Sequence, residues 1–153
     1  MMRRLVFIVF ICLFYPCVTL ASDATVGSIK AVKGTASIIR NRNPIEAKTG
    51  TMVFRNDSLK TGADGSMSMI FRDDTLLAIG PNSELKVKEF QFSPGEGKLS
   101  FVARLLRGTA ACITGIIGKL SPDSVRFETP VANIGIRGTK FAAKVEGVDE
   151  ESR

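Results

Sequence analysis

Apolar residues return at every second position through most of this chain, and that period confines it to strands rather than helices. Ala36, Ile38 and Arg40 alternate with Ser37 and Ile39 after Gly34-Thr35, and Met67, Met69 and Phe71 alternate with Ser66, Ser68 and Ile70. Successive side chains of a strand point to opposite faces, so both segments read as half-buried strands. Asp73-Asp74 supplies a polar turn, after which Leu76, Leu77, Ala78 and Ile79 make a short apolar strand closed by Gly80-Pro81-Asn82. Residues 66 to 79 therefore predict a hairpin. From Leu85 the inward set is Leu85 and Val87, then Phe90 and Phe92, so parity changes between Lys88 and Glu89. A bulge or a sheet-to-sheet crossing is expected there.

Beyond the loop Ser93-Pro94-Gly95-Glu96-Gly97, the alternation resumes at Leu99, Phe101, Ala103 and Leu105 and breaks at Arg107-Gly108-Thr109. The stretch from Val102 to Leu120 also fits a helical face through Val102, Leu105, Leu106, Thr109, Ile113, Ile116 and Ile117. Gly108, Gly115 and Gly118 oppose a long helix, each costing about 1 kcal/mol relative to alanine. Two strands are expected, with one helical turn as the alternative, and Arg104 and Arg107 exclude a membrane span. Gly-Thr pairs at 34, 50, 108 and 138 stand before runs of strand character, as if each strand were launched from a glycine turn. The class is all-β, a single domain of short strands, sandwich-like or an irregular β-solenoid.

The stretch Phe127 to Phe141, F-E-T-P-V-A-N-I-G-I-R-G-T-K-F, is dense in residues that shape a backbone. Thr129-Pro130 demands an extended start, and Val131, Ile134 and Ile136 supply apolar strand surface. Gly135 and Gly138 permit a bulge or a positive-φ turn. The unit reads as a strand, a bend and a second strand, the closing strand pair of the domain, and Arg137 is its one candidate for ligand binding.

Met1 to Arg4 give a basic head, Leu5 to Tyr15 an apolar run, and Thr19-Leu20-Ala21 the small residues of a cleavage site, which together predict a signal peptide over residues 1–21. The run has eleven residues, against roughly 20 for a spanning helix; retention as an anchor is the alternative. Pro16 before Cys17 and Ile11 before Cys12 disfavour lipidation. The β domain is expected over 22–145 and a polar tail over 146–153, and cleavage removes Arg3 and Arg4 from a formal net charge of +6. Cys112 alone survives processing, so no intramolecular disulfide is expected. In A-A-C-I-T-G-I-I it reads as a buried small hydrophobe, an intermolecular bridge being the alternative.

The remaining cations are interspersed with acids. Arg40 and Arg42 have Glu46 nearby, and Lys86 and Lys88 alternate with Glu84 and Glu89. A solvated mixed surface is expected and nucleic acid is not a predicted partner, because phosphate binding needs cations clustered on one face. The sequence has no histidine, so histidine-based triads and metal sites do not arise. Carboxylate pairs remain chemically open, since glycoside hydrolysis needs two acids flanking a bond. Asp57, Asp64, Asp73 and Asp74 stand beside turn signals and read as caps for backbone donors. Glu84 and Glu89 read as exposed strand-end charges, and Glu128 as a partner for Arg126 or Arg137. N-D-S at 56–58 and D-D-T at 73–75 have too few oxygen donors for a calcium loop. No cofactor or metal is expected.

Four segments, taken in order, resemble FecR-like domains, modules of the extracytoplasmic side of bacterial membranes: G-T-A-S-I-I-R at 34–40, R-N-D-S-L-K-T-G-A-D-G-S-M-S-M-I-F-R-D-D-T-L-L-A-I-G at 55–80, N-S-E-L-K-V at 82–87, and T-P-x-A-x-I-G-I-R-G-T-x-F at 129–141. The resemblance spans roughly Val26 to Val145 and makes Asp57, Thr61, Gly62, Thr129, Pro130, Gly135, Gly138 and Thr139 its structural motif residues. Asn56 stands where the family usually has glycine, which a turn tolerates because asparagine also accepts left-handed geometry, and Asp73-Asp74-Thr75 replaces the commoner Asp-Gly turn; neither change threatens the fold. FecR regulators carry a cytoplasmic anti-sigma segment and a membrane helix, whereas only Met1 to Arg4 precede the apolar run here, so the resemblance implies a member lacking that cytoplasmic region. It implies a secreted periplasmic, non-enzymatic binding or sensing module whose partner is an envelope protein or a cell-wall glycan. The alternatives are a component of envelope signalling acting through a separate membrane protein and a small carboxylate-based polysaccharide hydrolase.

Overall fold

The computed structural model describes residues 24–137 and 140–146. The expected leader, Gly138, Thr139 and all of the expected tail but Glu146 lie outside these residues. Among the described residues, no helix is long and apolar enough to cross a membrane.

The chain forms one curled, almost wholly antiparallel sheet of twelve strands. One half contains β4 (Met52–Phe54), β1 (Thr25–Lys33), β6 (Ser66–Phe71), β7 (Leu76–Ile79), the end of β9 (Lys98–Ile113) and β12 (Lys140–Val145), in that spatial order. The other contains β3 (Asn43–Glu46), β2 (Ala36–Arg40), β5 (Ser58–Thr61), β8 (Glu84–Ser93), the start of β9, β10 (Val125–Glu128) and β11 (Asn133–Gly135). The period-two reading holds where it was clearest. β6 and β7 pair as the expected hairpin, Met67 opposite Ile79 and Met69 opposite Leu77, and Met67, Met69 and Phe71 are buried. The parity change falls on Lys88, since Val87 faces Ala103 and Glu89 faces Val102, leaving Lys88 as the extra residue of a bulge.

The segment expected to hold two strands holds one. β9 runs unbroken for 16 residues, because Gly108 takes φ +87° and bends the strand instead of ending it. Its first part pairs with β8 and its last with β7 and β12, so β9 is the spine that both halves share. The helical alternative appears only afterwards, as the five-residue α1 (Ile116–Leu120). Gly34 and Gly50 do precede strands, β2 and β4, so the glycine-launch reading holds at those two and fails at Gly108.

The inward faces share one core. Phe71 from one half stacks on Phe90 at 5.3 Å and meets Phe101 edge-on at 4.8 Å, both from the other half. Phe127 of β10 and Phe141 of β12 meet edge-on at 4.9 Å. Each such ring pair adds about 0.5–1.5 kcal/mol beyond the area it buries.

Candidate functional site

Three of the candidate carboxylates, Asp57, Asp64 and Asp73, are committed to turn structure. Asp57 is 1% exposed; its carboxylate accepts bonds from Arg40 Nε at 3.0 Å, Arg40 Nη2 at 2.8 Å and the Phe54 amide at 2.9 Å. That bond to Asp57 raises the Arg40 pKa above its ordinary value. Arg40 is therefore claimed by Asp57, while Glu46 pairs with Lys48. Asp73 is fully buried and accepts from the Thr75 amide, the Thr75 hydroxyl at 2.8 Å and the Ile117 amide at 3.3 Å. Gly115 presses so closely on this turn that a Cβ there would strike the Asp73 carbonyl oxygen. Asp64 accepts from the Thr35 amide, and the Thr35 hydroxyl and amide hold its carboxyl below the usual range. These three cap backbone donors, as turn aspartates do. Among the described residues, no group of three or more Cys, Asp or Glu is placed to hold a metal ion.

Two glutamate readings need correction. Glu84 is not a free strand-end charge: its side chain is 19% exposed and lies 3.2 Å from Lys60 Nζ and 3.9 Å from Arg107 Nε. Glu89 is half-buried. Glu128 pairs with neither Arg126 nor Arg137 but with Lys88 Nζ at 2.8 Å. The register sets Glu128, Arg104 and Lys86 in one cross-strand row with Arg104 in the middle, and Lys88, the bulge residue of β8, is the cation that reaches Glu128 across β9.

The motif residues are turn builders. The Thr61 hydroxyl donates to the Gly80 carbonyl at 2.6 Å and accepts from the Ser83 amide at 3.0 Å. Gly62 donates its amide to Thr35 and accepts from Gly65 and Asn82, tying three loops together. Thr129 closes the β10–β11 connection: its amide donates to the Ala132 carbonyl and its hydroxyl accepts from the Ala132 amide. Pro130 sits exposed at the tip. The signature is thus a hairpin plus a crossing, because β11 pairs with β10 while β12 pairs with β9. Of Val131, Ile134 and Ile136 only Ile136 is buried; Val131 is 87% exposed and Ile134 38%. Gly135 has no positive φ, and a Cβ there would meet nothing within 4 Å.

That empty space opens a groove. Arg126 projects outward from β10 directly opposite Gly135, so no side chain covers it from the neighbouring strand. Arg126, Arg137, Asp123, Glu128 and Asn133 rim a hollow of about 490 Å³ with Ile134 at its side. Arg137, the residue singled out by sequence, is on this rim, held at 3.3 Å from Asp123 Oδ1 in a pair exposed on both sides; it bonds to neither Glu128 nor a loop carbonyl. An ion pair so exposed is worth little and exchanges readily. Arg126 makes no ion pair among the described residues. Sequence reading passed over Arg126 as a partner for Glu128, although V-R-F-E points Arg126 to the outer face. Two guanidinium forks around one hollow suit planar oxyanions such as carboxylates.

Cys112 is 1% exposed, and burial first, then the Asp73 charge, pushes its thiol up to about 12. It is free and serves as a small core hydrophobe. A family model described as FecR protein matches residues 57–153, well over half of the chain. The match takes in the last three resembling segments from Asp57 onward and leaves Gly34 to Arg40 outside. No curated protein and no solved structure matches the chain.

Proposed function

The chain belongs to the FecR family, and from that premise we propose that it is a non-enzymatic binding or sensing module of the bacterial envelope, working in the periplasm. The observation that carries this is Arg126, held out opposite Gly135 with no ion pair among the described residues, beside the exchangeable Arg137–Asp123 pair. That the buried aspartates are occupied by Arg40, by the Thr75 hydroxyl and by backbone donors supports recognition over acid–base chemistry. The ligand presents a carboxylate or similar oxyanion, carried by an envelope protein or a wall glycan.

Cross-linking and pull-down with the processed protein test this. Recovery of an envelope protein or a wall glycan, lost by about tenfold or more when Arg126→Ala and Arg137→Ala are combined, is expected from two charged hydrogen-bond donors worth about 1.5–3 kcal/mol each. Recovery of no envelope component counts against the module, and unchanged capture by the double variant counts against the groove. The family match also favours a signalling role through a separate membrane protein. Deleting the gene then alters transcription of uptake genes, and an unchanged transcript profile removes that reading.

A further inference from the structure

The sheet has four outer strands, and they are not equally closed. β3 carries Pro44, which has no amide hydrogen to offer, and β4 and β11 are three residues long. Short strands and proline are ordinary protections of a sheet edge. β12 has neither. It is six residues long and pairs with β9 alone, leaving its other row of backbone donors and acceptors without a strand among the described residues.

The side chains of β12 describe what would lie beside it. Its inward residues Phe141, Ala143 and Val145 are only partly buried, although the β9 residues opposite the first two, Cys112 and Ala110, are 1% and 3% exposed. The core rows therefore end one strand short of full cover. Its outward residues are Lys140, Ala142 and Lys144, all exposed. Beside Val145, an apolar hollow of about 400 Å³ is lined by Leu106, Pro130, Val131 and Ile134. Only Ile134 is common to this hollow and the arginine groove.

We propose that the free edge of β12 accepts an extended acidic peptide strand from a partner protein. Its main chain continues the ladder of β9 and β12, its alternate carboxylates lie opposite Lys140 and Lys144, and its intervening apolar side chains cover Phe141, Ala143 and Val145. Strand addition of this kind takes affinity from main-chain bonds and specificity from alternate side chains. Charge selects the occupant. A second copy paired about Ala142 would set Lys140 opposite Lys144, and like charges directly opposite repel. A carboxylate there is attracted, as the 3.0 Å contact of Lys144 with exposed Glu146 already shows.

The test uses the full chain with two labelled seven-residue probes, alternating Val-Glu and alternating Val-Lys, read by fluorescence anisotropy and amide exchange. The Val-Glu peptide is expected to bind and to slow exchange at Lys140–Val145, while the Val-Lys peptide does not bind. The double variant Lys140→Glu, Lys144→Glu, altered only at exposed positions, should weaken Val-Glu binding about tenfold or more and gain binding of Val-Lys. A Val-Glu peptide N-methylated along one edge should fail to bind. The proposal is overturned by absence of Val-Glu binding, by equal binding to the double variant, or by equal binding of the N-methylated peptide. It is also overturned if deleting residues 147–153, which carry Asp149, Glu150 and Glu151, raises the affinity about tenfold, since the chain's own acidic segment is then the occupant. Lysine-independent dimerisation in sedimentation likewise overturns it in favour of a second copy.

Discussion

Phe54-Arg55-Asn56-Asp57-Ser58-Leu59 and Phe71-Arg72-Asp73-Asp74-Thr75-Leu76 read almost alike, yet they bury different members. Each turn closes with the fourth amide donating to the phenylalanine carbonyl, Asp57 to Phe54 at 3.2 Å and Asp74 to Phe71 at 3.1 Å. In the first the left-handed residue is third, Asn56 with φ 69°, and the fourth, Asp57, goes inside. In the second the left-handed residue is fourth, Asp74 with φ 63°, and the third, Asp73, goes inside. Local chemistry supplies a residue that tolerates positive φ at either place. What decides the phase is the donors waiting in the fold: the Arg40 guanidinium from β2 for Asp57, and the Thr75 hydroxyl with the Ile117 amide of α1 for Asp73. One buried carboxylate has a counter-ion, and the other is held by neutral donors alone.

The neutral cage is the more fragile of the two. Asp73→Ala leaves the Thr75 amide, the Thr75 hydroxyl and the Ile117 amide without their acceptor, each costing about 1–3 kcal/mol when buried, so a loss of about 3–5 kcal/mol is expected in urea unfolding. Asp73→Asn keeps one acceptor oxygen and should lose roughly half as much. Arg40→Ala leaves Asp57 buried with only the Phe54 amide. Because the Arg40 side chain is 29% exposed and partly screened, about 1–3 kcal/mol is expected, below the cost of stripping a fully buried pair. Salt separates the two turns: raising the salt should shrink the Arg40→Ala effect and leave that of Asp73→Ala unchanged. Equal salt dependence at both would erase the distinction between ion pair and neutral cage.

The same contrast marks how far the sequence could be read. Alternation named the strands around residues 36–40, 66–79 and 85–105 and placed the bulge at Lys88, because burial on one face writes a period of two directly into the residues. Asp57, Asp64 and Asp73 were legible as caps, since Asn and Asp beside a chain reversal have few other roles. Which of Asp73 and Asp74 is buried was not legible, because it depends on α1, forty residues further on. Gly108 misled for a related reason: a glycine that ends a strand and one that bends it are the same letter, and β8 and β12 on either side of the bend decide between them. The arginine groove was half visible. Arg137 drew notice as a charge between two glycines, whereas Arg126 required the register that sets it across from Gly135.

If the phase is chosen by tertiary donors, the left-handed residues themselves should be interchangeable. Asn56→Ala and Asp74→Ala each place an ordinary side chain at positive φ and should cost about 1–2 kcal/mol apiece. Asn56→Gly and Asp74→Gly should be tolerated within about 1 kcal/mol, the relief of strain offsetting the added freedom of the unfolded chain. Matching values from thermal unfolding would locate the difference between the turns in their buried partners. A large asymmetry would place it in the backbone instead.

The smallest expected effect reads the second turn through Cys112. Burial, then the Asp73 charge, raises that thiol to about 12 in the folded state, while an unfolded chain ionises near the ordinary cysteine value of about 8.5. Below that value both states are neutral and the folded protein keeps its full stability. Above it the unfolded chain gains a thiolate that the folded chain refuses, so stability falls as pH rises toward 12. Between pH 8 and 9.5 the loss attributable to this group is about 1 kcal/mol, and Cys112→Ala should remove that slope while carrying its own pH-independent cavity cost. The two titrations, compared by urea unfolding, isolate the thiol from every other group in the chain. Asp73→Asn should flatten the slope only slightly, because burial outweighs the aspartate charge among the causes of the shift. If it flattens the slope as fully as Cys112→Ala does, the charge of the second turn rather than burial governs the thiol, and the neutral cage around Asp73 reaches further into the core than its hydrogen bonds indicate.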